Sequence, residues 1–277
     1  MRRSFDEEFS ALAEGMFARR PEDFPPGAFT FENFMWGAAI VSSRAYGDDE
    51  DGSFLAVPPL VDFLNHQAGA LQLTRFGNGI VAYAHKHYDK GEEAFINYGG
   101  KANAQLLSQY GFLIDGNADE AVFLRLGEHL LIEEPLADQK RGLLEQLFGD
   151  GVDADTAILK LARRPREWLG LLLPVVRALA LTAEDEVPEN AWDLQAPQQA
   201  RLEVAAWSVL ETAILRRVEE YPASLEDAKA RLAEGWPSGG ISERNSLGLR
   251  LQISEQELLA EALVQVAERK EEALAMG

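Results

Sequence analysis

The chain contains no cysteine among its 277 residues. That absence removes disulfides, thiolate-ligated zinc and thiol nucleophiles together, and it suits a reducing compartment. No apolar run reaches the roughly 18 residues that a membrane span needs. Basic residues are scarce: 26 Lys and Arg stand against 46 Asp and Glu, a formal net charge of −20. Such a balance argues against nucleic acid, whose phosphates demand a basic surface. It would attract a basic protein segment, although acidic surfaces also serve solubility alone. Also missing are a P-loop, a Gly-x-Gly-x-x-Gly fingerprint, a Gly-x-Ser-x-Gly elbow and a His-Glu-x-x-His pair. Phosphoryl transfer, nicotinamide chemistry, nucleophile-elbow hydrolysis and zinc proteolysis lose their usual support. Two arginines follow Met1, but acidic residues come next and no apolar signal core does. The expectation is a soluble intracellular protein, with cytoplasm, nucleus and chloroplast equally open.

What is present supports a sizeable core, since 47% of the residues are apolar, enough for one large domain or two ordinary ones. Residues 1–20 predict a short amphipathic helix with Phe5, Phe9, Leu12 and Met16 on one side, ended by Pro21, Pro25 and Pro26. Thr30 is a candidate cap for a helix carrying Phe31, Phe34, Met35, Ala38 and Val41 and reaching about Arg44. Phe54 to Leu64 reads as an extended apolar segment after an acidic loop over 47–53. Gly77-Asn78-Gly79 between apolar runs predicts a hairpin. Ala94 to Tyr98 predicts a strand and Lys101 to Tyr110 a helix. After about residue 120 the composition turns to Leu, Ala, Glu and Arg with long helical periods. Arg163 to Leu181 predicts an apolar helix broken or kinked at Pro174, and Gln198 to Tyr221 a long amphipathic one. Ser254-Glu255-Gln256-Glu257 reads as a capping box opening the last helix. A boundary is expected near residues 116–125.

Several residues could carry chemistry, and each has a plain alternative. Asn65-His66 ends an apolar run and could bind a polar ligand, yet Asn bends chains routinely. Tyr98, before Gly99-Gly100, could aim its hydroxyl into a pocket, although strand-end tyrosines usually pack with the oxygen wet. Tyr110 shares that ambiguity. His85 and His87 alternate along a predicted strand and so share a face, but no third ligand is suggested and no metal site is expected. Arg163-Arg164-Pro165-Arg166 reads as a solvated helix start.

Taken in order, Trp36 to Arg44 with Tyr46, Pro59-Leu60-Val61-Asp62-Phe63-Leu64-Asn65-His66, Gly91-Glu92-Glu93-Ala94-Phe95-Ile96-Asn97-Tyr98-Gly99, Lys101-Ala102-Asn103 and Gln109-Tyr110-Gly111-Phe112 resemble the SET family. Specifically they resemble the branch of the Rubisco large-subunit lysine methyltransferases and the actin-histidine methyltransferase. Tyr221 to Asp227, through Arg250 and Glu257-Leu258-Leu259, resemble that branch's substrate-binding domain. The resemblance implies an α+β fold: an N-terminal helical segment over 1–28, the C-terminal part of a SET domain over 29–118, and an all-helical substrate-binding domain over 119–277. The family's first strands and its Gly-x-Gly loop have no counterpart before Phe29, so the resemblance implies an open edge to be covered by another strand or by a partner chain supplying strands.

The resemblance also implies S-adenosylmethionine as cofactor and a lysine-containing segment of a non-histone protein as substrate. By position, Tyr98 would be catalytic, with its hydroxyl beside the transferring methyl. Arg44 would meet the cofactor's carboxylate, Asn65 its methionine portion and His66 its adenine, with Asp62 and Tyr110 lining the same pocket. Tyr46 and Lys101 would border the substrate. A lysine must lose its proton before attack, and a narrow tyrosine-lined channel disfavours the ammonium form. The alternative function is a non-catalytic protein-binding module that keeps the helical domain. An acidic helical scaffold would require the motifs to coincide by chance.

Overall fold

Phenylalanine spacing organises the N-terminal end. The computed structural model describes residues 2–47, 54–77, 79–125, 136–149, 158–164, 167–168, 170–235 and 242–275. It divides into two compact units, Met1–Gly100 with Ser108–Tyr110, and Lys101–Leu107 with Gly111–Gly277. In the first unit α1 (Arg2–Leu12) runs into a π-helical turn, Ala13–Phe17. Phe9 meets Phe17, Phe31 and Phe34 with ring centroids 6.2, 5.6 and 5.6 Å away. Helix α2 (Phe31–Arg44) starts where Thr30 Oγ1 accepts the Asn33 amide at 3.3 Å, the cap its sequence predicts.

Short ladders follow. β1 (Tyr46–Gly47) pairs antiparallel with β2 (Leu55–Ala56), with Tyr46 opposite Ala56. The expected extended segment stops there. Pro58 and Pro59 cannot donate to a ladder, and Leu60 turns the chain at φ 75° into a 3₁₀ turn, Val61–Phe63. Leu60 is the one non-glycine residue at positive φ among those described. β3 (Asn65–His66) pairs parallel with β6 (Phe95–Ile96), and β4 (Thr74–Phe76) pairs antiparallel with β5 (Gly79–Val81). The hairpin stands where Gly77-Asn78-Gly79 predicts it, with Asn78 itself outside the described residues, as are residues 48–53. His85 and His87 lie on no strand. Tyr88 Oη and His85 Nδ1 hydrogen-bond at 3.1 Å, and His87 faces Asp89 at 3.7 Å.

The second unit is helical with one addition. β7 (Ala121–Arg125) and β8 (Ile158–Ala162) form an antiparallel sheet inside a region the periodicity assigns to helices alone. Apolar runs as short as these give no period to read. Around the sheet pack α4 (Ala137–Phe148), α5 (Leu172–Ala180), α6 (Ala200–Glu219), α7 (Leu225–Gly235) and α8 (Glu243–Ala275). One cluster of fully buried residues, including Leu124, Leu144, Leu161, Val175, Leu210, Ile214, Leu259 and Val266, joins the sheet to α4, α5, α6 and α8, while α7 packs on α8. Pro174 does not break α5. It is the third residue of that helix, where its missing N–H has no intrahelical partner to lose.

Ser254 does not open a helix either, because α8 begins eleven residues earlier, at Glu243. The stretch 163–166 is no helix start among its described residues: Arg164 pairs with Asp119 at 3.3 Å and Glu167 at 3.7 Å, while Pro165 and Arg166 lie outside them. Within this apolar unit Arg177 and Glu203 form a buried ion pair at 2.9 Å, and the guanidinium also donates to the Leu194 and Gln195 carbonyls. No helix among the described residues is long and apolar enough to cross a membrane.

Candidate functional site

The parallel β3–β6 pair brings the two polar motifs of the first unit side by side. Asn65 and His66 lie opposite Phe95 and Ile96, so Tyr98 emerges next to His66. The Tyr98 amide donates to His66 Nδ1 at 3.0 Å, which makes Nδ1 the acceptor and leaves Nε2 to carry any ring proton. The Tyr98 hydroxyl turns back and donates to the Leu64 carbonyl at 2.7 Å. Its ring lies 5.2 Å from His66 and 4.6 Å from Tyr110, tilted 36° to the latter. Beyond it Gly99 adopts φ 94°, a conformation that a side chain would strain, and its amide donates to Asn97 Oδ1 at 2.9 Å.

Arg44 reaches this cluster from the end of α2. Its guanidinium donates to the Asp62 carbonyl at 2.9 Å, lies 3.7 Å from the Asp62 carboxylate and covers the Phe63 ring at 5.2 Å. The other carboxylate oxygen, Asp62 Oδ1, is buried and has no hydrogen-bond partner. Burial and the neighbouring Tyr110 raise the Tyr98 phenol above its usual 10.0, while the Arg44 charge pulls it down. Burial likewise raises Tyr110. Both phenols therefore stay neutral across the physiological range, as donors and acceptors rather than bases.

Five of the residues singled out from sequence thus lie around one spot, Arg44, Asp62, His66, Tyr98 and Tyr110, with Asn65 beside it on β3. Asn65 is the outermost, exposed and donating to Glu93 Oε1 at 2.6 Å. Tyr46 sits on β1 with Phe54 as its edge-on neighbour at 6.5 Å. Lys101 belongs to the second unit, where its carbonyl accepts from Asn117 at 2.8 Å. The Leu64 carbonyl escapes sequence reasoning, because a backbone acceptor has no signature. Among the described residues no group of His, Asp or Glu could hold a metal ion.

The arrangement combines one cation, a buried unpartnered carboxylate oxygen and a neutral pair of tyrosines. A zwitterion carrying a second, soft cationic centre suits it: the guanidinium takes a carboxylate, and electron-rich ring faces favour the cation.

Comparison with known proteins bears on the fold that carries this cluster. The family described as Rubisco LSMT substrate-binding matches residues 133–259. The actin-histidine N-methyltransferase of Canis lupus familiaris is 25% identical over 262 residues, covering 88% of this chain and 42% of that protein. That of Danio rerio is 26% identical over 253 residues, covering 85% and 41%. The chain therefore spans about two fifths of the length of the curated relatives it matches. Rubisco LSMT bound to AdoMet superposes with a TM-score of 0.71 at 20% identity, over 99% of this chain and 63% of that one. The SET domain of LSMT bound to lysine and AdoHcy gives the same TM-score, 0.71. The chain shares the fold of those LSMT structures, and the resemblance read from the motifs points to the same branch as all three comparisons.

Proposed function

We propose that the chain is an S-adenosylmethionine-dependent protein methyltransferase that modifies a lysine of a non-histone protein. In this reading residues 29–118 are the C-terminal part of the SET catalytic domain and 119–277 the substrate-binding domain, preceded by a helical segment over 1–28. The observation that carries it is the Tyr98 hydroxyl, fixed on the Leu64 carbonyl, stacked on Tyr110 and within reach of the Arg44 charge. Arg44 would hold the cofactor's carboxylate, and the Tyr98 and Tyr110 rings would face its sulfonium. When bound, that cofactor would supply an activated methyl for transfer to a neutral amine.

The protein's part is positional. Tyr98 spends its proton on Leu64, so its hydroxyl oxygen presents only lone pairs to the reacting centre. The raised phenols keep Tyr98 and Tyr110 uncharged, so no phenolate holds the amine as ammonium, and the positive sulfonium would favour a neutral amine beside it. Alignment then provides most of the acceleration. Lysine is favoured over histidine by Tyr46-Gly47, which looks like the Rubisco-type enzymes, and by the fold neighbours described with lysine or monomethyllysine bound. Nothing in the structure or the comparisons supports a partner chain. A second reading, a non-catalytic protein-binding module, draws on the family match at 133–259, which covers the helical region alone.

Calorimetric titration of the 277-residue chain with AdoMet and AdoHcy, repeated with Asn65→Ala, separates the two. The expected result is micromolar binding weakened at least about tenfold by the substitution. No binding by a well-folded chain would sink the enzyme reading and leave the module.

A further inference from the structure

Helix α3, Asn103–Tyr110, starts without a cap of its own. Ala102 stands at the N-cap position and has no side-chain oxygen, although the first amides of any helix need acceptors. Glu120 supplies one from 17 residues downstream: its Oε1 accepts the Asn103 amide at 3.0 Å and the Ala121 amide at 3.2 Å. Its Oε2 accepts the Asn103 side chain at 2.6 Å and the Ser254 hydroxyl at 2.5 Å. Asn103 is clamped again by Ile114, whose amide donates to Oδ1 at 2.9 Å and whose carbonyl accepts from Nδ2 at 3.0 Å. Glu120 and Asn103 are 1% and 2% exposed, so water cannot replace a lost partner and each vacated group would keep its desolvation cost. A carboxylate here also meets the positive end of the helix dipole.

The far end of the same helix is Tyr110. Gly111, at φ 81°, closes α3 by donating to the Leu106 and Leu107 carbonyls, both at 3.1 Å. Between the two ends lie only about two turns, on the order of 10 Å, too short to absorb a shift at one end by bending.

We propose that Glu120 is a positioning residue: by capping and clamping the first turn of α3 it fixes the Tyr110 ring against Tyr98. The inference rests on the reading above only in treating that tyrosine pair as functional. Glu120 touches neither ring and acts through the helix.

The test is ¹⁹F NMR of the full chain labelled with 3-fluorotyrosine, where six tyrosines give few resonances. Tyr98→Phe and Tyr110→Phe assign the pair. Glu120→Gln keeps the shape but weakens the acceptor, and it is expected to shift or broaden the Tyr110 and Tyr98 signals while Tyr83 and Tyr88 stay in place. Should that variant not fold, Ser254→Ala removes one of the donors and is read the same way. An unmoved Tyr110 signal in whichever variant folds overturns the proposal and reduces the node to a structural brace. AdoHcy titration adds a second readout: Glu120→Gln should weaken affinity about three- to tenfold, yet add nothing in a Tyr110→Ala background. Independent, additive losses would again overturn it. Absence of AdoHcy binding by the unmutated chain counts against the methyltransferase reading and leaves the fluorine spectra to decide Glu120.

Discussion

The two units are built on opposite principles. The second buries a continuous apolar cluster running from β7 through α6 to α8. The first buries only Pro58, Ala70 and Ile96 among its described residues, and leaves Trp36, Leu60, Phe63 and Phe76 more than two-thirds exposed (68%, 78%, 70% and 75%). Its ladders are two or three residues long. Yet the clustered chemistry, Arg44 through Tyr98 and Tyr110, lies in that thin first unit. Stability and chemistry are therefore separable by mutation.

The largest effect is expected at Arg177. Replacing it with Met leaves Glu203 buried and unpaired, at a cost of about 3–5 kcal/mol. Adding Glu203→Leu should recover most of that loss, and urea unfolding followed by circular dichroism reads both. Next comes a direct comparison between units. Leu259→Ala, at a fully buried site, should cost about 2–5 kcal/mol. Phe63→Ala, at a 70% exposed site, should stay within about 0.5 kcal/mol. Equal losses would break the contrast. Tyr98→Phe removes the bond to Leu64, worth about 1 kcal/mol. On the proposed methyltransferase reading, a radiolabelled methyl-transfer assay should nonetheless fall about a hundredfold, with AdoHcy affinity little changed.

The smallest effect concerns pH. Burial raises Glu255 above 4.5, and the Glu120 charge adds to this against the pull of Tyr221 and Arg217. The folded chain then binds more protons than the unfolded one just above that value, so this group's contribution to stability falls as pH rises through the window. Glu255→Gln should flatten that fall in melts between about pH 4 and 7.

Legibility in the sequence also differed between the units, and for physical reasons. Thr30 and the 77–79 turn act locally, so spacing alone exposes them, whereas Asn65-His66 and Tyr98-Gly99 stand out only together, through the family resemblance, and meet across the β3–β6 pair. Ser254 misled because its hydroxyl serves Glu120, 134 residues away, rather than its own helix. Pro174 misled because only its place within α5 tells whether it breaks the helix. Residues 121–125 and 158–162 carry no period and find each other only in three dimensions. Of the candidate site, the clustering of Arg44, His66, Tyr98 and Tyr110 is visible only in the structure, and the Leu64 carbonyl has no signature in the sequence. The empty cap at Ala102 was the one sign that a distant acceptor such as Glu120 had to exist.

That borrowed cap has a consequence for recombining this chain with its relatives. A crossover placed between residues 110 and 120 would keep every tyrosine of the site and still hand α3 whatever residue the relative carries where Glu120 belongs. A hybrid without an acceptor there would inherit the right side chains on a helix with an unanswered first amide. Splicing before Lys101 instead passes the helix, its carboxylate and Ser254 on together, so a family of hybrids should sort into sound and unsound members by that one junction.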